Sequence, residues 1–234
     1  MMPHRPLCRT VLRSFVLAAA LAAGIHPAQA APTPAQTAAQ TTDFFRAVQM
    51  DDARTVRALL GKVDPNQVNP VGGEPALVLA VREGAMQVLD ALLRYPGTNV
   101  DAQAMNGNTA LMMAAYKHDK PAAEALIAKG AAVNRPGWTP LHYAAASGDD
   151  DIARLLLAHG ARIDATSPPA SGAYTPLMMA AREGHQDSAL FLLGQGADPR
   201  LKNSEGLTAA EIARRADHGA IAAALEQRAK NLSQ

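Results

Sequence analysis

The phrase Trp138-Thr139-Pro140-Leu141-His142-Tyr143-Ala144-Ala145 returns as Tyr174-Thr175-Pro176-Leu177-Met178-Met179-Ala180-Ala181 and as Thr109-Ala110-Leu111-Met112-Met113-Ala114-Ala115, with fainter copies around Leu77 and Thr208. The equivalent positions Leu77, Leu111, Leu141, Leu177 and Ala210 lie 34, 30, 36 and 33 residues apart. A period of that length fits stacked helix pairs. Each such unit has an apolar face that only a neighbouring copy can cover, so the chain must build a stack in which repeats lean on adjacent repeats. Function then belongs on a surface of the stack and not in one central pocket.

The fourth copy shows how a repeat is written. Thr139 is placed to cap a helix, Pro140 suits the first helical position where no N–H is needed, and Gly148 stops the helix after Ser147. Asp149, Asp150 and Asp151 then set negative charge where a second helix begins with unpaired N–H groups. Ile152, Leu155 and Leu156 follow at helical spacing, and Gly160 supplies the left-handed residue that ends it. The same endings recur at Ala125-Leu126-Ile127-Ala128-Lys129-Gly130 and Phe191-Leu192-Leu193-Gly194-Gln195-Gly196. Gly194-Gln195-Gly196 closes a helix instead of opening one, so it is not a dinucleotide loop.

Apolar residues make up 48% of the 234-residue chain, but aromatics only 4%, so the core has to form from small side chains at close helix contacts. Residues 1–30 stand apart. Arg5, Arg9 and Arg13 precede an apolar run from Phe15 to Ile25 and then Ala28-Gln29-Ala30, the pattern of a secretory signal peptide cleaved near Ala30. That run is shorter than the ~20 residues a membrane helix needs, so no stable membrane insertion is expected after cleavage. Three of the 22 Lys+Arg and none of the 21 Asp+Glu lie in this leader, so cleavage moves the balance from +1 to about −2. The remaining basic residues are scattered without a phosphate-binding stripe, which argues against nucleic acid. Cys8 departs with the leader, leaving no disulfide and no thiolate site. Residues 31–42, all small or polar, read as a flexible linker; 43–228 as the repeat domain; 229–234 as a polar tail.

Thr139-Pro140-Leu141-His142 and Leu155-Leu156-Leu157-Ala158-His159-Gly160-Ala161 resemble the opening and closing motifs of the ankyrin-repeat family. The resemblance runs from about Asp43 to Glu226 and departs from the pattern at Glu74-Pro75, at Met112 and Met178 where the family has histidine, and at Thr208-Ala209. It implies an all-α solenoid of about six helix-turn-helix repeats with short β-hairpin-like loops. It also implies that His142 and His159 tie the loop of one repeat to the next. Polar caps are expected at both ends, and a longer finger from Thr166 to Ala173 before Tyr174.

No nucleophile-elbow motif is present, and the histidines His118, His142, His159, His185 and His218 are spread over the repeats, so neither an enzyme nor a zinc site is expected, and no cofactor. Met112-Met113 and Met178-Met179 raise Cu(I), and with the aromatics of the same face a small molecule, as an alternative ligand, since thioethers suit that ion, against ordinary core filling by one methionine of each pair. Family architecture implies a concave face along the first helices of the repeats. Counting one residue before and four after each capping position puts Trp138 and Tyr174 on its tips and Leu79, Met113, Tyr143 and Met179 along it, followed by Tyr116, Lys117, Arg82, Glu83, Arg182 and Glu183. Water-facing aromatics anchor protein partners, whereas the competing expectation is that Trp138 and Tyr174 only stiffen the loops. The expectation is a monomeric, noncatalytic protein-binding module in the periplasm or secreted, with an unidentified protein partner. Similar periplasmic ankyrin proteins imply roles in oxidative-stress defence or as toxin-neutralising immunity proteins.

Overall fold

The computed structural model describes residues 34–231, and everything from Pro34 onward in it belongs to one compact unit. The leader and its cleavage site lie outside the described residues. Six helix pairs follow one another: α1 (Pro34–Gln49) and α2 (Ala53–Leu59), α3 (Ala76–Glu83) and α4 (Met86–Arg94), α5 (Ala110–Tyr116) and α6 (Lys120–Ala128), α7 (Pro140–Ser147) and α8 (Asp150–Ala158), α9 (Pro176–Glu183) and α10 (Gln186–Gly194), α11 (Ala209–Arg215) and α12 (Gly219–Asn231). The first helices pack in series, α3 on α5, α5 on α7, α7 on α9 and α9 on α11, with α4, α6, α8, α10 and α12 as a second layer. Among the described residues there is no β-strand, only isolated bridges such as Val68 with Pro75 and Lys202 with Thr208 at the loop bases. The all-α solenoid is as the repeats require. No helix among the described residues is long and apolar enough to cross a membrane.

Local chemistry explains the helix ends. The side chains of Asp52, Asp119 and Asp149 accept the N–H of Thr55, Ala122 and Ile152 at 3.0, 3.0 and 2.8 Å, so each second helix they open begins with a satisfied donor. The core is a run of thin apolar layers in which Leu77, Leu111, Leu141, Leu177 and Ala210 hold equivalent buried places. Side chains in the connections lace one repeat to the next. Asn134 donates to the Gly160 carbonyl at 2.7 Å and accepts the Arg162 N–H at 2.8 Å, and Asp164 accepts the Asp198 N–H at 3.1 Å.

Two boundaries differ from the sequence expectation. Residues 34–42 are not a flexible linker but the first half of α1, which continues into the buried Phe44, Phe45 and Val48. Alanine and glutamine are good helix formers and Pro34 stands at the start where proline is tolerated, so the segment extends a helix whose other half is anchored by packing. At the far end α12 runs to Asn231, so the polar tail is helical through that residue.

Gly148 and Gly184 close the inner helices α7 and α9 with φ of +78° and +82°. A Cβ on either would meet a histidine ring of the next repeat: His185 Nδ1 at 2.7 Å for Gly148 and His218 Cε1 at 2.6 Å for Gly184. His185 Nε2 lies 3.0 Å from the Ala146 carbonyl, so this ring is held in place. Gly84, with φ of +70°, has nothing near the corresponding position. Gly84→Ala is therefore expected to cost only the left-handed backbone penalty, about 1 kcal/mol, whereas Gly148→Ala must also displace His185 and loses about 2 kcal/mol. Urea unfolding of the two variants checks this, and equal losses would show that His185 does not lock the repeats.

Candidate functional site

Helical spacing builds a row of side chains along the inner face. Met113, Tyr143 and Met179 stand four residues after Thr109, Thr139 and Thr175, and Tyr116, Ala146 and Arg182 come one turn later. Where α5, α7 and α9 stand side by side, these rows enclose a cleft of about 330 Å³. Tyr116, Trp138, Tyr143, Met179 and Arg182 line it. His142, Ala146 and Glu183 complete the lining.

The aromatic wall is rigid. Trp138 stands nearly perpendicular to both neighbours, its ring centroid 5.3 Å from His142 at 78° and 6.4 Å from Tyr143 at 66°. The Tyr143 hydroxyl donates to Asn108 Oδ1 at 2.6 Å, tying the wall to the preceding loop. Burial pushes the Tyr143 phenol up, partly offset by that hydrogen bond, so it stays a neutral donor. Tyr116 is the open side, 56% exposed.

His142 sets the base of this wall. It is fully buried, and its Nε2 lies 2.9 Å from the Tyr174 carbonyl while Nδ1 accepts the Thr139 N–H at 3.2 Å and faces Thr139 Oγ1 at 2.8 Å. A carbonyl opposite Nε2 requires the proton on that nitrogen, which leaves Nδ1 as the acceptor. Desolvation holds the imidazole in its neutral form, with its pKa pushed down to about 4. The expected link between one repeat and the loop of the next is thus made by His142. His159 does not make one: it is exposed, and its Nδ1 faces Leu155 O of its own helix at 2.9 Å, where it caps the last turn of α8.

Two residues expected to face a partner, Tyr174 and Leu79, are not free to do so. Tyr174 is 8% exposed. The finger turns through a 3-10 segment at Pro169–Ser171 and Gly172 passes so close that an added Cβ would lie 2.3 Å from the Tyr174 ring, while the Arg182 guanidinium sits 5.2 Å from its centroid. Its backbone pairs with Ser167, so Tyr174 stiffens the finger. Leu79 is fully buried because α1 packs on α3 and closes that end of the face. Met113 is half-buried and outside the cleft lining, and Met179 forms part of the lining while only 6% exposed. Met112 and Met178, each 1% exposed, are the core members of their pairs. The two thioethers a Cu(I) site on this face would use, Met113 and Met179, are therefore not gathered in one lining. Ala146 carried no signal beyond its spacing; its small side chain leaves the room that the cleft occupies.

Several arginines of the inner and last helices are paired with acidic neighbours. Arg182 pairs with Glu183 Oε1 at 2.8 Å, Arg82 with Glu83 at 2.9 Å, Arg215 with Glu205 at 2.5 Å, and Arg214 with Glu226. Among the described residues no group of three or more His, Cys, Asp or Glu is arranged to hold a metal ion.

Comparison with known proteins agrees with the repeat architecture. The family described as Ankyrin repeats (3 copies) matches residues 44–136, 87–167 and 129–203. Human SH3 and multiple ankyrin repeat domains protein 1 is 36% identical over 126 residues, 51% of this chain and 6% of that protein. Mouse RelA-associated inhibitor is 48% identical over 64 residues, 26% of this chain and 8% of its own length. Human transient receptor potential cation channel subfamily A member 1 is 31% identical over 123 residues, 51% of this chain and 11% of that protein. The chain thus spans only a small part of each relative. Motifs, stacked helix pairs and the family match coincide, and the chain belongs to the ankyrin-repeat family.

Proposed function

We propose that the cleft between α5, α7 and α9 is the docking site for a protein partner, and that the chain acts without catalysis, as an adaptor, chaperone-like helper or inhibitor. Ankyrin repeats are protein-interaction modules, and this cleft gathers the only tryptophan with two of the four tyrosines on one rigid wall. That clustering carries the proposal, because aromatic anchors in preformed concave sites supply most of the energy of protein recognition. A relative whose name describes an associated inhibitor supports the inhibitory form of the reading. The pairing of Arg82, Arg182, Arg214 and Arg215 with acidic neighbours leaves little charge for a phosphate backbone. The leader pattern of residues 1–30 supports action beyond the inner membrane, in the periplasm, where support of oxidative-stress defence or neutralisation of a toxin are the two roles that similar proteins suggest.

Affinity capture from periplasmic extract, compared between the mature chain and Trp138→Ala, tests the site. Trp138→Ala is expected to weaken capture at least thirtyfold, about 2 kcal/mol, with the helical circular dichroism unchanged. Unchanged capture by a folded variant would remove the cleft from the interface.

A further inference from the structure

The cleft has three properties that together specify what enters it. First, Trp138 and Tyr143 meet at 66°, forming a corner, with Tyr116 on the open side of the same cleft. The faces of such rings carry the negative part of their quadrupole and attract cations. Second, the floor carries no charge: His142 is neutral and Met179 and Ala146 are apolar, suited to a hydrocarbon stem. Third, a carboxylate oxygen stands ready at the rim. Glu183 Oε1 accepts the Arg182 Nε–H at 2.9 Å and lies 2.8 Å from Nη2, which leaves Oε2 without a hydrogen-bond partner among the described residues. Arg182 does not compete for the corner, because its guanidinium is committed to Glu183 Oε1 and to the Tyr174 ring.

Resting on the docking site proposed above, we infer that its occupant is an exposed lysine side chain of the partner protein, its stem along Met179 and Ala146 and its ammonium between the aromatic rings and Glu183 Oε2. Lysine suits this better than a purely apolar residue, which would leave the rim oxygen unmatched, and better than an acidic one, which Glu183 repels. Arg182 is the cation of this lining and its charge is balanced by Glu183 Oε1 at 2.8 Å, so the neutrality of His142 keeps a second, unbalanced cation from opposing the ammonium.

Because Trp138 is the only tryptophan, its fluorescence reports on the cleft alone. The mature chain is titrated at pH 7.5 with N-acetyl-lysine amide and with N-acetyl-norleucine amide, which has a similar stem without the charge. The lysine compound is expected to give a saturable change with at least fivefold tighter binding than norleucine. Glu183→Gln and Tyr116→Leu, both at exposed positions, are each expected to weaken it at least threefold while leaving the circular dichroism unchanged. Equal affinity for the two probes, or tighter binding of N-acetyl-glutamate amide, would overturn the lysine assignment while leaving a partner-binding cleft in place. Silence toward all three probes would also overturn it. If Trp138→Ala then still captures the partner, the docking reading fails as well.

Discussion

Leu141→Ala is expected to lower the unfolding free energy by about 3–4 kcal/mol, within the range found for emptying a close-packed core position. Leu141 is fully buried in α7, the inner helix of the fourth pair, which packs on α5 before it and α9 after it. A cavity there is shared by both neighbouring interfaces. The layers around it are alanine-rich, with Ala114, Ala115, Ala144, Ala145, Ala180 and Ala181 all buried, so the helices already stand in close contact around it. In a stack held by nearest-neighbour contacts, weakening the middle also reduces the coupling between the ends. The urea transition should therefore move to lower concentration and broaden. Leu190→Ala, at a position 43% exposed, is the control and should change stability by less than about 1 kcal/mol. A loss below about 1.5 kcal/mol for Leu141→Ala would mean that the stack collapses around the cavity and is less rigid than its packing indicates.

What could be read from the sequence was whatever local chemistry decides. Thr139, Pro140 and Gly148 fix the ends of α7 through capping, a preset φ and a left-handed residue, none of which depends on distant parts of the chain. The Leu77, Leu111, Leu141, Leu177 and Ala210 register follows from the repeat itself. The first half of α1 was illegible because Ala35 to Thr42 holds no large apolar residue. Its helicity is borrowed from Phe44 and Phe45, which are pinned by tertiary packing. The candidate site divides in the same way. Trp138, Tyr143, Tyr116 and Arg182 could be placed by helical spacing, which is a property of one element. Tyr174 and Leu79 could not, because a folded-back finger covers one and α1 closes over the end of the face that holds the other. The free oxygen of Glu183 depends on which atom its neighbour chooses, and that is visible only in three dimensions.

His142 should make the stack sensitive to acid, and His142→Met should remove that sensitivity. The folded pKa of about 4 lies below the roughly 6.5 of an unfolded histidine because burial disfavours the charged ring. Above pH 6.5 the ring is neutral in both states and its contribution is complete. As pH falls from 6.5 toward 4, the unfolded chain gains a proton that the folded chain refuses, so stability falls by up to about 1.4 kcal/mol per unit and about 3 kcal/mol in total. Below about 4 the loss levels off. Methionine is the natural substitute, since Met112 and Met178 already occupy the equivalent positions of the neighbouring repeats, each 1% exposed and each donating its N–H to Thr109 or Thr175 Oγ1. At pH 7.5 the variant gives up the bond to the Tyr174 carbonyl, which keeps the Ser167 N–H at 2.8 Å, and is expected to be about 1 kcal/mol less stable than the parent. At pH 4 the order reverses and the variant is more stable by about 2 kcal/mol, with the curves crossing near pH 6. The other titrating groups contribute to both proteins and cancel in the difference, so urea unfolding of the pair from pH 4 to 7.5 isolates this one ring. Parallel curves with no crossing would mean that His142 is protonated in place, with the link between its repeat and the Tyr174 finger surviving the charge.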